Sequence, residues 1–161
     1  MNFEQVKSPR IENKNGQIVV ACPQMKTNVN ISALARSASC LGVSEFIVTG
    51  NNSINAHIAK GIEVPIKHHR SILPVIKKYK GKGYKIIGLE QTNNSNDIYG
   101  YTFPSEPVML IVGHECRGME PEILNELDEA VEIPLHRNPH SLNVAIAASI
   151  CLFEYAKQQR G

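Results

Sequence analysis

The sequence predicts an α/β fold in which a mostly parallel sheet is flanked by helices on both faces. Four short segments are apolar almost throughout and rich in β-branched residues, at positions 17–21, 46–49, 85–89 and 108–112. Uninterrupted apolar runs of this length are typical of strands that are buried on both faces. Helical segments lie between them, and this alternation favours a parallel sheet that is covered on both sides.

Weaker patterns predict the remaining elements. Two further strands are expected at 64–67 and 130–133. Helices are expected at 31–41, 54–61, 71–80, 121–126 and 141–158, and three of them are expected to end at Gly42, Gly61 and Gly81. Because 161 residues suit one hydrophobic core, residues 1–161 are predicted to form a single domain with residues 1–16 as a polar N-terminal arm.

Composition narrows the class of protein. No apolar run approaches the ~20 residues that span a bilayer, and the first residues lack the apolar core of a signal peptide. A soluble, cytoplasmic protein without a membrane partner is therefore expected. The net charge of +2 neither requires nor excludes a nucleic-acid partner. Cys22, Cys40, Cys116 and Cys151 lack the spacing of a zinc site, so we expect reduced thiols in or near the core.

Three polar loops follow predicted strands, and ligands of parallel sheets bind beyond the carboxyl ends of the strands. The loop after the first strand leads to Asn30 and Arg36, which are six residues apart. The segment "GHECRGM" places Glu115 between two glycines after the fifth strand, and "HSLN" places Ser141 and Asn143 after the sixth. Their common position predicts a polar site at this edge of the sheet.

Each of these loops also has a purely structural interpretation. Asn30 suits a helix N-cap, and Arg36 suits a solvated helix face. Glu115 suits a helix cap beside turn glycines. Ser141 suits an N-cap with Asn143 in the first helical turn, which leaves the asparagine without an evident task. The residues taken one at a time leave both interpretations open.

Three segments together resemble the motifs of one enzyme family. The segments "NISALARSASCLGV", "LIVGHECRGM" and "VEIPLHRNPHSLNVAIAASICLFEY" are similar, in order and spacing, to the motifs of the SpoU/TrmH-type RNA ribose 2'-O-methyltransferases of the SPOUT superfamily. The resemblance runs from about residue 17 to residue 159. Ser32 departs from it, because many members carry glycine there. The separate N-terminal RNA-binding domain of the rRNA-modifying members is not expected.

The resemblance implies a knotted fold and a cofactor. The C-terminal segment, roughly residues 108–159, would form a deep trefoil knot whose loops bind S-adenosylmethionine. Backbone groups at Gly113, Ile133 and Leu142 would hold this cofactor, and Leu89 and its neighbours would lie near the adenine. Glycine permits close approach of a backbone to a ligand, and apolar residues enclose an adenine ring well. No GxGxxG loop follows the first strand, which disfavours a Rossmann-type dinucleotide enzyme.

Catalytic roles follow from the same resemblance. The family's arginine at the position of Arg36 is proposed to activate the ribose 2'-hydroxyl. Because a guanidinium group does not readily give up its proton, we favour a cation that contacts the RNA phosphate and lowers the pKa of the hydroxyl, with general-base action as the alternative. Asn30 and Glu115 would orient Arg36. Ser141 and Asn143 would face the substrate or the Arg36 of the neighbouring subunit, in a composite site built by a homodimer.

RNA is the expected partner, with tRNA favoured over rRNA and no DNA. A guanosine in the D-loop is the favoured acceptor, and the anticodon wobble ribose is the main competitor. Three alternatives stay open: methylation of rRNA, a different acceptor such as a tRNA base or a protein side chain, and a non-catalytic RNA-binding module with the knotted fold. The complete set of polar residues argues against the non-catalytic module.

The remaining conspicuous residues are given structural or secondary roles. His114, His136 and His140 are interpreted as neutral surface histidines, because their spacing does not suggest a metal site. The basic stretch at residues 68–85 either contacts RNA phosphates or forms a solvated helix end. Met119 and Phe153 are predicted to lie in the core.

Overall fold

The structure, a computed structural model, describes residues 3–7, 17–137 and 141–160 and is built around a parallel sheet. Within these residues the strands are β1 (Ile18–Cys22), β2 (Glu45–Thr49), β3 (Ile66–His69), β4 (Lys85–Leu89), β5 (Asn96–Asp97), β6 (Val108–Val112) and β7 (Glu129–Glu132). The helices are α1 (Asn28–Cys40), α2 (Leu73–Lys80), α3 (Pro121–Leu124) and α4 (Val144–Gln158). The strand order is β3-β2-β1-β6-β4-β7-β5, and neighbouring strands in it are parallel.

Two hydrophobic clusters cover the two faces of the sheet, as the sequence predicted. In β1, the side chains of Ile18, Val20 and Cys22 belong to one cluster, while those of Val19 and Ala21 belong to the other. Helices α1 and α4 pack on the first face, and α2 and α3 pack on the second. Every residue of β1 and β6 is buried, which explains the uninterrupted apolar runs.

Side-chain caps begin the two helices that carry most of the predicted polar residues. Thr27 Oγ1 accepts a hydrogen bond from the backbone N of Asn30 at 3.5 Å, at the start of α1. Asn143 Oδ1 accepts one from the backbone N of Ala145 at 2.9 Å, at the start of α4. Such caps satisfy first-turn N–H groups that have no partner inside the helix. Gly42, with a φ of 77°, follows the end of α1 as predicted.

The helix predicted at residues 54–61 is wrong, because this segment forms successive turns. Asn55 Oδ1 accepts a hydrogen bond from the backbone N of His57 at 2.9 Å. An asparagine that bonds nearby backbone N–H groups offers the chain an alternative to a helical ladder. Ile54 packs against the core without a helix, so its apolar character was a correct signal of burial only.

Strand β5 was missed, because its two residues are exposed and polar and give no apolar signal. The other predicted elements are present, with ends displaced by at most three residues. None of the helices in the described part of the chain has the length and apolarity needed to cross a membrane.

Burial differs from the prediction at three side chains. Phe153 is 61 % exposed on α4 rather than in the core, whereas Met119 is buried as predicted. All four cysteines are free thiols, but Cys40 and Cys116 are exposed, while Cys22 and Cys151 are buried. Because α4 is apolar on several sides, its sequence does not reveal which side faces the sheet.

Candidate active site

A cavity of about 280 Å³ lies at the carboxyl ends of β4, β6 and β7. The loops that follow these strands and the beginning of α4 form its walls. Its lining includes the four residues that the resemblance linked to a cofactor: Leu89, Gly113, Ile133 and Leu142. Glu115 and Ser141 line it as well, so the tertiary structure brings parts of two distant polar loops together.

A continuous chain of hydrogen bonds joins the three polar loops. Asn30 donates from Nδ2 to Glu115 Oε1 at 2.9 Å. Asn143 donates from Nδ2 to Asn30 Oδ1, also at 2.9 Å. The backbone N of Lys26 donates to the second carboxylate oxygen of Glu115 at 2.9 Å. Three of the predicted polar residues therefore form one connected unit beside the cavity.

Glu115 is held as a carboxylate by this unit. Burial raises the pKa of its carboxyl group, but the hydrogen bonds from the Lys26 backbone N and the Asn30 amide outweigh burial and lower the pKa below the ordinary value. Because an ionised carboxylate only accepts hydrogen bonds, it fixes the orientation of the Asn30 amide. Asn30 then presents its carbonyl oxygen to Asn143.

Asn143 has two structural tasks, which explains why an asparagine lies at the start of this helix. Its Oδ1 caps α4 by accepting from the backbone N of Ala145 and Ile146, and its Nδ2 reaches Asn30. The prediction of Ser141 as the N-cap and Asn143 as a first-turn residue is wrong, because α4 begins at Val144. A serine hydroxyl would have to accept and donate at a single oxygen, whereas the Asn143 amide separates the accepting Oδ1 from the donating Nδ2.

Arg36 lies apart from this unit within the chain. It is exposed on α1, six residues after Asn30, and in the described part of the structure its guanidinium group makes no hydrogen bond or ion pair. Six residues correspond to about 9 Å of helix and to a different helical face. The expected contacts from Asn30 and Glu115 to Arg36 are therefore not made inside one chain.

Glu90 is a cavity residue that the sequence interpretation did not single out. It lies directly after β4, and its Oε2 accepts a hydrogen bond from the backbone N of Met119 at 2.9 Å. A Cβ added to Gly113 or Gly118 would lie 2.7 or 2.8 Å from the same oxygen. The two glycines thus make room for this carboxylate. A charged residue directly after a buried strand was the available signal.

The prediction of a surface histidine is wrong for His114, whose side chain is 14% exposed and whose Nε2 lies 3.8 Å from Glu115 Oε2. His114 Nδ1 accepts a hydrogen bond from the backbone N of Cys116 at 3.0 Å, and His136 is exposed. His140 lies outside the described residues. Within residues 3–7, 17–137 and 141–160, no three histidine, cysteine or acidic side chains are grouped so as to hold a metal ion.

An exposed apolar surface lies between α1 and α4, next to Asn30 and Asn143. On α4, Ile146 is 55 % exposed, and Phe153 and Ile150 are exposed beside it. Ala33 and Ser37 of α1 form the other side. We call this surface the α1–α4 face. Large apolar side chains grouped on a surface are typical of contact surfaces between proteins.

The family model of the SpoU rRNA Methylase family matches residues 17–153. The chain is 26% identical over 163 residues to mouse "tRNA (guanosine(18)-2'-O)-methyltransferase TARBP1", covering 96% of this chain and 10% of that protein. It is 26% identical over 155 residues to the Aquifex aeolicus "tRNA (guanosine(18)-2'-O)-methyltransferase", covering 92% of this chain and 73% of the relative. The chain thus spans 10% of the length of the mouse relative and 73% of the length of the A. aeolicus relative.

Solved structures agree with this relationship. The A. aeolicus TrmH/SpoU tRNA modifying enzyme superposes with a TM-score of 0.79 at 27% identity, covering 90% of this chain and 76% of that one. An AdoMet-bound rRNA methyltransferase from Sinorhizobium meliloti superposes with a TM-score of 0.77 at 25% identity, covering 96% and 62%. Because the family model covers most of the chain, this protein belongs to the SpoU rRNA methylase family.

Proposed function

We propose that the chain is an S-adenosylmethionine-dependent RNA ribose 2'-O-methyltransferase that acts on tRNA. The observation that carries the proposal is the hydrogen-bonded unit of Asn30, Glu115 and Asn143 beside the cavity. A protein that only bound RNA would not need this ordered polar unit next to a ligand-sized cavity. The names of the mouse and A. aeolicus relatives support a tRNA guanosine ribose as the acceptor.

The cavity has the properties that S-adenosylmethionine requires. At Gly113 the place of a side chain is occupied by the Glu90 carboxylate, which leaves the Gly113 backbone in the wall of the cavity. Leu89, Ile133 and Leu142 offer apolar surface for an adenine ring. We assign cofactor binding to these four residues. When bound, S-adenosylmethionine supplies an electrophilic methyl group on a sulfonium centre. The AdoMet-bound S. meliloti relative supports the assignment.

The polar residues are assigned to alignment and charge stabilisation. Arg36 contacts the RNA phosphate and favours the ionised form of the 2'-hydroxyl, whose proton passes to water. Asn30, Glu115 and Asn143 keep a fixed polar surface beside the cavity, and the exposed Ser141 at its rim is assigned to substrate contact. Since these groups are ordered before substrate binds, little reorganisation remains for the reaction.

We propose that two chains build each site. Among the described residues, Arg36 has no partner in its own chain. The α1–α4 face adjoins the hydrogen-bonded unit of Asn30, Glu115 and Asn143, which Arg36 of a second chain would complete. A two-fold dimer through this face would bring Arg36 of one subunit toward Asn30 of the other and would create two equivalent sites. The exposed Ile146, Ile150 and Phe153 supply the apolar contact that such a dimer needs.

The proposal includes the trefoil knot of the family, formed by roughly residues 108–159. Its support is the placement of β6 between β1 and β4, with β7 on the far side of β4, and the return of α4 to pack beside α1. An experimental structure with a continuous trace of this segment tests it. An unthreaded trace would remove the knot from the proposal without affecting the chemistry.

Methyl transfer to defined RNAs tests the proposed function. Labelled methyl from S-adenosylmethionine is offered to unmodified tRNA transcripts and to rRNA fragments, and labelled nucleotides are mapped after nuclease digestion. We expect one 2'-O-methylguanosine, in the tRNA D-loop. A wobble nucleotide or an rRNA ribose would replace the substrate assignment and keep the reaction class.

A matched substrate separates ribose from base chemistry. The same tRNA is prepared with a 2'-deoxynucleotide at the mapped position, so that only the acceptor hydroxyl is removed. We expect this tRNA to accept no methyl. Continued methylation of the deoxy position would show a base acceptor and would overturn the ribose assignment.

Gly113→Ala is expected to weaken cofactor binding by about tenfold or more. The added Cβ would lie 2.7 Å from Glu90 Oε2, and moving that carboxylate breaks its hydrogen bond to Met119. Calorimetric titration with S-adenosylmethionine measures the effect, with Gly100→Ala as the control, because a Cβ there meets open space. Wild-type affinity in Gly113→Ala would contradict the placement of Gly113 and Glu90 in the cofactor site.

A further inference from the structure

A second groove opens at the carboxyl edge of the sheet, beside the candidate active site. Its volume is about 530 Å³, and three cationic side chains from separate loops line it: Lys26, Arg70 and Arg117. Gln24 and Ser71 add polar groups to the lining. We call it the basic groove. It contains neither the assigned cofactor residues nor Asn30 and Asn143.

One short hairpin separates the basic groove from the cavity. His114 and Gly118 line both spaces, and their backbones pair through two hydrogen bonds of 3.0 Å. Glu115 lies within this hairpin and lines the cavity. Its carboxylate accepts a hydrogen bond from the backbone N of Lys26, and Lys26 lines the groove. The groove is therefore continuous with the site and lies only a few residues from its polar unit.

The three cations extend from backbone that is already held in place. Next to Lys26, the backbone N of Met25 donates to Asn52 Oδ1 at 2.7 Å. Arg117 lies inside the hairpin that His114 and Gly118 close. Arg70 follows β3, and its neighbour His69 accepts from the backbone N of Gly50 at 3.0 Å. The groove is thus a preformed binding surface whose long side chains alone need to adjust.

The charge in the groove is not neutralised by neighbouring acids. In the described part of the chain, Lys26, Arg70 and Arg117 are exposed and form no ion pairs. Among the described residues that line the groove, one is acidic, Glu120, and three are cationic. Unpaired cations on a concave surface attract anions, and guanidinium groups suit phosphate geometry.

Most of the basic stretch predicted from the sequence lies elsewhere. Because β3 and β4 are parallel, α2 between them runs back to the amino edge, away from the groove. Lys80 pairs there with Glu126 at 3.0 Å, and the ammonium group of Lys82 lies 5.2 Å from the centre of the Tyr79 ring. Of the cations in residues 68–85, Arg70 is the one that lines the groove.

We propose that the basic groove binds the phosphodiester backbone of the RNA strand that carries the methylated nucleotide. This inference rests on the proposed function, because it assigns the strand next to the acceptor ribose. Lys26, Arg70 and Arg117 contact phosphates on one side of the hairpin while the acceptor lies at the cavity on the other side. Such contacts position a strand without reading its bases.

Direct binding of unmodified tRNA by the full chain tests the groove. Arg70→Ala and Arg117→Ala are each expected to raise the Kd severalfold and to reduce the slope of log K against log salt concentration by about 1. The double variant should lower the slope by about 2. Calorimetric affinity for S-adenosylmethionine should stay at the wild-type value, which separates lost phosphate contacts from a damaged fold.

Lys78→Ala is the matched control, since it removes one exposed positive charge from α2 near the amino edge. We expect its Kd and salt slope to stay close to wild type. Wild-type Kd and salt slope in both arginine variants would overturn the proposal that the basic groove binds RNA. An equal loss in Lys78→Ala would also overturn it, because general charge attraction would then account for binding.

Failure of the groove and failure of the proposed function give different results. If wild-type protein methylates RNA while the arginine variants bind it normally, the groove is wrong and the function stands. If wild-type protein binds tRNA with groove-dependent affinity but methylates no RNA, the function is wrong and the groove stands. If wild-type protein binds neither tRNA nor rRNA fragments, both are wrong.

Discussion

Arg36→Ala and Arg36→Lys are each expected to lower kcat for methyl transfer by at least about 100-fold. The physical reason is the planar guanidinium fork, which in the proposed mechanism holds a phosphate and places positive charge beside the 2'-hydroxyl at the same time. Lysine keeps the charge but lacks the fork, so it cannot reproduce both contacts. Single-turnover methyl transfer to saturating tRNA measures the chemical step directly.

The position of Arg36 makes this experiment easy to interpret. Because it is exposed and makes no ion pair among the described residues of its own chain, its removal should leave the fold of each subunit intact, as measured by circular dichroism. Arg160→Ala, at another exposed arginine, serves as the control and should keep wild-type turnover. Near-normal turnover in Arg36→Lys would contradict the fork and leave only a general charge effect.

Phe153→Asp is expected to convert a dimer into a monomer and to remove nearly all turnover. Phe153 is 61 % exposed on the α1–α4 face, so an aspartate there is solvated in a monomer but would be buried in the proposed contact. Burying an unpaired carboxylate costs several kcal/mol, at the level of ~1000-fold or more in association. Light scattering at micromolar concentration reports the mass, and methyl transfer reports the activity.

Tyr99→Asp is the matched control, because Tyr99 is 80 % exposed but lies beyond β5 at the far edge of the sheet. It should remain dimeric and active. A wild-type protein that is monomeric at micromolar concentration and still methylates RNA would rule out a site shared between subunits.

Mixing two inactive variants distinguishes a shared site from a site within one chain. Arg36→Ala and Glu115→Ala chains are unfolded together and refolded, so that mixed dimers form. In a shared site, one of the two sites in each mixed dimer has both residues intact, which predicts about one quarter of wild-type activity. A site built within one chain predicts no recovery.

Local patterns were sufficient for the central strands. Lys85–Leu89 and Val108–Val112 have the predicted bounds, because burial on both faces demands apolar residues at Ile86–Gly88 and throughout Val108–Val112, which leaves a continuous signal in the sequence. The helix predicted at residues 54–61 was wrong because a local signal was misleading. Their apolar spacing resembled a helix, but the hydrogen bond that Asn55 Oδ1 accepts from the backbone N of His57 stabilises turns instead.

The sequence indicated which polar residues lie near one another, but it did not indicate which of them form hydrogen bonds. The motifs identified Asn30, Glu115 and Asn143 as a set, yet the sequence offered no order of contacts among them. It also missed Glu90, whose importance depends on its contact with Met119 and on two glycines from another loop. Phe153 was misplaced because its exposure depends on which side of α4 meets the sheet.

By itself, the sequence determined the layered α/β fold and the family of this protein, because buried strands and short motifs are properties of contiguous residues. The tertiary structure decided which of those residues contact one another. Asn30 meets Glu115 across 85 positions and Asn143 across 113, and the basic groove collects cations from three loops. Such contacts arise because parallel strands bring the loops at their carboxyl ends to one edge of the sheet. Short sequence patterns do not indicate which of these loops become neighbours.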